Sequence, residues 1–328
     1  IRMVRIAKRP AGPCPESVTS VESARAKARN GRGFELRTRH KPGRWTFEAA
    51  YGDHYQTPRS AYADIAPALQ FLASRCACEA DQPGDVEPNG ESQFRIFDPY
   101  FCSGSCKTHL EALGLPNVVN ENRDFYADVA AQQVPEFDVM VTNPPFSSDH
   151  KERLLQFLID DPQQRPFFLL LPSWVAQRSY WREFLAALRH RSDHRHEINS
   201  SIRLADFQDT STSDSLEKEV GVFYWCPGGK YRFEHVDGFK AQGRAKAPFD
   251  AMWFVGVPKG PNAAKKVRLK LQGEGMAAAS LSQLYKEGVL LTKREKKQRA
   301  KEMQRSWKVG VRSCPTASAD VPRKRQRR

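Results

Sequence analysis

The chain lacks the marks of a disulfide-built or membrane-spanning protein. Its seven cysteines (Cys14, Cys76, Cys78, Cys102, Cys106, Cys226 and Cys314) are odd in number and include no Cys-x-x-Cys. That pattern favours a reducing compartment over a disulfide framework. The spacing of Cys76, Cys78, Cys102 and Cys106 is not that of a zinc ribbon, and His190, His194 and His196 lie among Arg and Asp as a solvated surface, so no metal site is expected. The apolar run Phe167 to Leu171 is far too short to span a bilayer. No signal-peptide pattern is visible. Acidic residues are scarce at both ends: residues 1–46 hold 12 Lys/Arg against 3 Asp/Glu, and residues 293–328 hold 14 against 3. The net charge of +14 therefore divides into +9, +11 and −6 for the body between them. A mildly acidic body with two basic arms suits contact with a phosphate backbone, a nuclear-import signal, or solvated tails.

What is present is organised around Val141-Thr142-Asn143-Pro144-Pro145-Phe146-Ser147-Ser148. The apolar run Phe137 to Val141 before it reads as a buried parallel strand, which the two prolines stop because neither can donate to a ladder. Asn143 is thus left at the carboxyl end of a strand, where open α/β sheets bind ligands. Its side chain offers an acceptor and two donors, Pro144 offers a carbonyl, and Phe146 offers a flat face. An acceptor pair beside an aromatic wall suits a planar amino group on a ring.

The rest of the chain reads in order around that turn. Residues 1–46 mix Pro, Gly, Ser and bases with little apolar periodicity, and read as an arm. Its early Arg and Lys, with no acid before Glu16, also suit a fragment of an organelle-targeting segment. Folding is expected to begin at Trp45-Thr46-Phe47. Thr57-Pro58 predicts a capped helix running to about Ser74, kinked or divided at Pro67. Residues 79–93, with five acids and no base, read as a surface loop. Phe94 to Asp98 reads as a strand that turns through Pro99 to Gly104 into a helix from about Ser105. Such a strand, small-residue turn and helix start form a nucleotide-type site. A short strand near Val118 precedes Glu121, an acid placed to hold ribose hydroxyls. Asp98 and Asn143 are 45 residues apart, room for about one and a half strand–helix units. Helices are expected after Ser148 or Asp149 and around Tyr180 to Leu188, with a strand at Phe167 to Leu171 between them. Residues 206–219 read as a long polar loop, Val220 to Trp225 and Tyr231 to Phe233 as a hairpin, and Ala251 to Val257 as a further strand.

Asn143-Pro144-Pro145-Phe146 resembles the Asn-Pro-Pro-Phe/Tyr signature of S-adenosylmethionine-dependent methyltransferases acting on exocyclic or amide nitrogens, above all the N6-adenine enzymes. Two other stretches resemble the same family in the same linear order. Gly52 to Pro58 is similar to its Gly…Tyr-Thr-Pro element, and Asp98-Pro99 to Gly104 is similar to its Asp-Pro-x-x-Gly-x-Gly loop. Cys102 stands where the first glycine of that loop is usual, and a Cβ there restricts both dihedrals and space. The segment between Asp98 and Asn143 is shorter than the two units usual in the family.

The resemblance implies a Rossmann-like class I α/β fold over residues 47–283. It has a mostly parallel doubly wound sheet with an antiparallel C-terminal edge, between the arm at 1–46 and a basic helix and tail at 284–328. S-adenosyl-L-methionine is the implied cofactor. Tyr55 and Thr57 would lie by its methionine part, Asp98 would accept from its amino end, and Tyr100, Cys102 and Gly104 would form its loop. Glu121 would take the ribose, and Asp124 with Phe125 would flank the adenine. Asn143, Pro144 and Phe146 would hold the target amine, and Ser173 and Trp174 would rim its pocket. Lys293, Arg294, Lys296 and Lys297, at the start of the basic helix, are expected on the nucleic-acid backbone. The implied activity is N6-adenine methylation, on a structured RNA such as ribosomal RNA rather than DNA. The expected partner is RNA or a ribosomal or pre-ribosomal particle, with no membrane. The expected compartment is the nucleus or nucleolus, with the mitochondrion as the alternative. Two other functions stay open: glutamine N5-methylation of a protein, and a non-catalytic RNA-binding assembly factor on a methyltransferase fold.

Overall fold

A computed structural model describes residues 45–47, 53–80, 94–193, 213–236, 250–271, 273–292 and 294–302. The basic arm before Trp45, the acidic residues 81–93, the first half of the expected polar loop, Lys293 and the chain after 302 lie outside the described residues.

The architecture is α/β. Strand β1 (Tyr55–Gln56) leads into α1 (Arg59–Ala80). Then β2 (Ile96–Phe97), α2 (Ser105–Glu111), β3 (Val118–Val119), α3 (Phe125–Ala130), β4 (Val139–Thr142), α4 (His150–Asp160) and β5 (Phe167–Pro172) alternate. A 3-10 turn (Ser173–Gln177) joins β5 to α5 (Ser179–Asp193). The C-terminal part holds α6 (Ser213–Glu219), β6 (Val222–Cys226), β7 (Glu234–His235), β8 (Ala251–Gly256), α7 (Pro261–Arg268), β9 (Met276–Ala278) and α8 (Leu281–Lys286).

Seven of these strands form one mixed sheet in the order β3-β2-β4-β5-β8-β6-β9. The β3-β2, β2-β4 and β4-β5 pairs are parallel. Strand β8 is antiparallel to both β5 and β6, and β9 is antiparallel to β6, so five strands point one way and two the other.

Alternation along the strands builds a core on each face. Phe167, Leu169 and Leu171 of β5 join Met140, Tyr224 and Phe254 on the face covered by α4, α5, α6 and α8. Phe168 and Leu170 join Val141, Trp225 and Trp253 on the face covered by α1, α2 and α7. Every residue of β5 is buried, so the apolar run is explained by helices on both sides. At the β5-β8 register Phe167 lies opposite Gly256, and a Cβ on Gly256 would stand 2.1 Å from the Phe167 ring. The large ring on one strand requires the missing side chain on the other.

The short stretch between Asp98 and Asn143 resolves into one full unit and a minimal crossover. From β3 the chain passes through the six-residue α3 directly to β4 on the other side of β2. Two expectations are corrected and one is narrowed. Helix α1 is not divided at Pro67 but continues as one element to Ala80. The hairpin across Pro227-Gly228-Gly229 does not form: β6 pairs with β8 and β9, while β7 pairs with β1 in a separate two-stranded ribbon. The local Pro-Gly-Gly signal lost to sheet positions supplied by later strands. Residues 213–219 are helix α6 rather than loop, with Leu216 and Glu217 buried. Glu217 accepts from the Tyr224 hydroxyl at 3.2 Å and the Leu281 N–H at 3.1 Å. The polar composition that suggested a loop thus includes a buried acceptor that ties three elements together. No helix among the described residues is long and apolar enough to cross a membrane.

Candidate functional site

The chain leaves β2 for β3 on one side and returns to β4 on the other, so the strand order reverses at β2. A crevice at the carboxyl ends of β2 and β4 is the expected ligand position in such a sheet. Three polar residues follow the three strand ends there: Asp98 after β2, Asn120 after β3 and Asn143 after β4. Thr142, the last residue of β4, donates its hydroxyl to Asp98 Oδ1 at 2.7 Å. The same oxygen accepts from the Tyr100 N–H at 3.3 Å, and the Asn120 side-chain amide donates to the Asp98 carbonyl at 2.9 Å. Burial pushes the Asp98 carboxyl up to about 6, against the opposing pull of its bonds from Thr142, the Tyr100 N–H and Cys106. All three are neutral donors. Among the described residues no cation forms an ion pair with the carboxylate.

Beside this knot lies a cavity of about 350 Å³. That is within the roughly 300–1,000 Å³ of small-molecule sites. Tyr55, Tyr100, Phe101, Phe125 and Tyr126 give it an aromatic wall, and Asp53, Asp124, Arg123 and Arg153 give it charge of both signs. A hydroxyl chain runs along one side. Tyr100 and Tyr126 share a hydrogen bond at 2.8 Å, and Tyr126 meets His150 Nδ1 at 2.9 Å. The Arg153 guanidinium sits 3.4 Å from the centre of the Tyr126 ring. Burial holds Tyr100 well above the usual phenol range, lifts Tyr126 to about 12 and pulls His150 down, so all three are neutral donors and acceptors at neutral pH. Trp45 closes over the β2 end, its indole N–H donating to the Cys102 carbonyl at 3.1 Å and its ring stacked on His54 at 3.7 Å.

Asn143 and Pro145 stand in the cavity wall. The turn is fastened from two sides: the buried Lys151 ammonium donates to the Phe146 carbonyl at 2.7 Å, and the Ser147 hydroxyl bonds Asp53. Ser148 takes a left-handed φ of 45° before α4 begins. With the turn so held, Asn143 Oδ1 is buried and has no hydrogen-bond partner among the described residues. Pro144 is buried, and Phe146 packs against the core on the α4 face rather than standing in the cavity wall.

The other sequence-derived positions divide. Tyr55, Tyr100, Cys102 and Asp124 are in the cavity wall. Asp124 also caps α3, accepting from the Tyr126 N–H at 2.9 Å and the Ala127 N–H at 3.3 Å. Thr57 is buried outside the wall, where its side chain bonds Tyr62. Gly104 precedes α2 at φ 77°, and a Cβ there would stand 3.3 Å from the ring of Phe101, a wall residue. Asp98 and Glu121 line an adjoining cavity of about 160 Å³ that shares Pro99, Arg123 and Phe125 with the larger one. The Ser173 N–H donates to the Asp250 carbonyl at 2.8 Å, and Trp174 lies under the Arg178 guanidinium at 4.9 Å, neither in the larger cavity's wall. Arg294, Lys296 and Lys297 are exposed on a helix over 294–302. Among the described residues no cluster of three His, Cys, Asp or Glu is arranged to hold a metal ion.

Sequence reasoning passed over Asn120, Tyr126, Thr142, His150 and Arg153. Thr142 carried a signal, a polar residue closing an apolar strand. The Tyr126–His150–Arg153 group carried none, because α3 and α4 bring it together only once the crossover is known.

Among the described residues, Ser103 Oγ, Asn120 Oδ1, Asn143 Oδ1, Glu152 Oε2 and Tyr180 Oη are buried without a hydrogen-bond partner, and each follows the carboxyl end of a parallel strand in the chain. A second cavity, also about 350 Å³, lies at the opposite end, where Phe94, Phe137 and Pro166 precede β2, β4 and β5. Two of its polar groups are engaged within the chain. Asp161 takes Arg165 through its guanidinium at 2.8 Å, Arg165 lies over the Phe137 ring at 3.6 Å, and Asp138 accepts the Arg95 N–H at 2.6 Å. No protein-family model matches the chain, and neither the curated proteins nor the solved structures give a significant match.

Proposed function

We propose that the chain is an S-adenosylmethionine-dependent methyltransferase acting on the exocyclic amine of adenine in nucleic acid, structured RNA before DNA. The observation that carries the reading is Asn143 Oδ1, a buried acceptor with no partner, fixed at the carboxyl end of β4 beside an aromatic cavity. An unmet buried acceptor costs about 1–3 kcal/mol, which a ligand N–H would recover. The sheet supports the same reading. Parallel strands wound on both faces, followed by an antiparallel β8 and β9, are what the resemblance to class I methyltransferases implies.

The residues present suit the cofactor. The larger cavity has the volume for it, flat rings for an adenine, and Asp53 and Asp124 for positive charge. The cofactor supplies a methyl group already activated on a sulfonium. Tyr55, Tyr100, Phe101 and Phe125 would hold it, and the Tyr100–Tyr126–His150 chain would keep the wall rigid. Asn143 and the Pro144 carbonyl would accept the two N–H bonds of the target amine. That disfavours delocalisation of the nitrogen lone pair into the ring and frees it to attack. The fastening of the turn by Lys151 and by the Ser147–Asp53 bond keeps Asn143 from moving with the substrate, so orientation is paid before reaction.

The test is methyl transfer from labelled cofactor onto RNA, DNA and protein fractions, beside a calorimetric titration with the cofactor alone. Transfer to RNA at adenine N6 is expected. Cofactor binding with transfer only to protein would move the reading to glutamine. One observation favours the assembly-factor reading: the Asp98 carboxylate is tied to neutral donors within the chain and lies outside the larger cavity's wall. Absence of cofactor binding would remove the enzyme reading, and RNA binding by the same chain would then support the assembly factor.

A further inference from the structure

The segment after α8 is docked at the same end of the sheet as Asn143. Leu290 is buried, and its carbonyl accepts from the Gln177 side-chain amide at 3.2 Å. Gln177 closes the 3-10 turn that follows β5. The Gly288 turn lies close to the helix that follows: a Cβ there would stand 3.4 Å from Arg299 Nη1. From this anchor a helix begins with a reciprocal cap. The Thr292 N–H donates to Glu295 Oε2 at 2.7 Å, and the Glu295 N–H donates to Thr292 Oγ1 at 3.2 Å. This is the capping box, which satisfies two of the helix's first donors at once.

Residues 294–302 of that helix are all exposed. They bury no apolar face, so packing does not explain them. Their charges are sorted. At about 100° per residue, Glu295, Gln298 and Glu302 fall on one narrow stripe. Arg294, Lys296, Lys297, Arg299 and Lys301 spread over the remaining circumference. The stripe is occupied with itself: Glu295 serves the cap, and Gln298 donates to Glu302 at 3.1 Å. Among the described residues none of the five bases forms an ion pair with an acid. The body between the arms carries −6, so this positive face is local.

We infer that the helix over 294–302 is a docking surface for the phosphodiester backbone of a folded RNA, placed to hold the strand that presents its base to Asn143. The inference rests on the proposed function for the identity of that base and on the charge pattern for the partner. The Leu290–Gln177 bond ties the start of this helix to the carboxyl end of β5, the strand next to β4. The cap keeps the bases on a formed helix before any ligand arrives, so less ordering entropy is lost on binding. Arg and Lys together suit a backbone contact that carries no base information. The basic residues of α7 do not serve the same strand, because Lys266 lines the cavity at the opposite end of the sheet.

The experiment is fluorescence anisotropy of a labelled RNA hairpin with the full chain across a salt series, for wild type and for Arg294→Gln/Lys297→Gln/Lys301→Gln. Three lost phosphate contacts should lower the slope of log affinity against log salt by about 2–3, at roughly 0.7–0.9 per contact. Affinity at low salt should fall by tenfold or more. Glu302→Gln, which removes an acid and keeps a hydrogen-bonding side chain, should raise affinity slightly. An unchanged slope in a triple variant whose helix content matches wild type overturns the inference, as would unchanged RNA affinity in a variant that has lost binding of a labelled acidic peptide. The two readings fail separately. An altered slope with no methyl transfer by the wild type leaves the docking surface standing and removes the enzyme. Methyl transfer with an unaltered slope does the reverse.

Discussion

The two ends of the parallel strands carry cavities of equal volume, about 350 Å³ each, yet only one reads as a site. At the amino end Arg165 and Asp138 have partners within the chain. Arg165 is shared between the Asp161 carboxylate, the Phe137 carbonyl and the Phe137 ring. At the carboxyl end Asn143 Oδ1, in the cavity wall, is buried with no hydrogen-bond partner among the described residues, and the adjacent Asp98 carboxylate is held by neutral donors. Volume alone does not separate a packing defect from a ligand site. Unmet polarity is the better guide, because a buried polar atom without a partner costs stability until a ligand or a water meets it.

The sharpest test of that contrast is a pair of variants, one at each end. Arg165→Ala leaves the buried Asp161 carboxylate uncompensated, and breaking a buried pair costs about 3–5 kcal/mol. The expected outcome is a large loss in denaturant midpoint with ligand binding unaltered at temperatures where the chain remains folded. Asn143→Ala should behave oppositely, with stability equal or slightly higher, since an unmet acceptor is removed. Single-turnover methylation should fall by about 100- to 1000-fold, as for loss of one preorganised contact. Full activity in Asn143→Ala would reduce the turn to a Pro-Pro strand stop, and lost cofactor affinity would place its side chain on the wrong ligand.

Asp98 sharpens the comparison through pH. Its folded value of about 6 lies above the ordinary 3.8, so the native state binds the proton more tightly than the unfolded chain. The stability this confers is fully present below pH 3.8 and is lost as pH rises through about 6. At neutral pH the ionised group is therefore a burden, of up to ~3 kcal/mol at about 1.4 kcal/mol per pKa unit. Asp98→Asn keeps an acceptor for Thr142 and the Tyr100 N–H and removes the charge. It should raise the melting temperature at pH 7.5, do little at pH 4, and weaken binding of a cationic cofactor. A variant no more stable at pH 7.5 would show that the carboxylate is neutralised by a group other than a ligand.

Much of this was legible before any coordinates. The β5 run, the helix from Ser105 and the strand ends at Asp98 and Asn143 follow from apolar periodicity and from where prolines and small residues stop it. The minimal crossover was legible as a deficit of length. What was not legible is what distance brings together. Nothing local in Tyr126, His150 or Arg153 says that α3 and α4 will face each other across the cavity. Nor does anything in Val220 to Cys226 say that later strands, rather than its Pro-Gly-Gly neighbour, will pair with it. Glu217 in α6 misled for the opposite reason: a buried acid looks like a surface one until its donors, Tyr224 and the Leu281 N–H, are in place.

The smallest expected effect concerns Cys102, the residue that most departs from the glycine-rich pattern. Substituting a side chain for glycine is costly where the backbone is left-handed or the space is filled. Cys102 is not among the left-handed residues, and the positive φ of the loop, 77°, falls on Gly104 instead. Its carbonyl holds the Trp45 indole whichever side chain is present. Cys102→Gly should therefore leave cofactor affinity within about threefold and lower stability by about 0.5–1 kcal/mol through the unfolded chain's greater freedom. Gly104→Ala is the counterpart that should fail, since it places a Cβ at a left-handed position and 3.3 Å from Phe101. Calorimetric titration of both variants separates two accounts of the loop. A tenfold gain in Cys102→Gly would mean that the thiol blocks the cavity. No change there, with a loss in Gly104→Ala, would mean that one glycine suffices, because only one position in this turn needs what glycine offers.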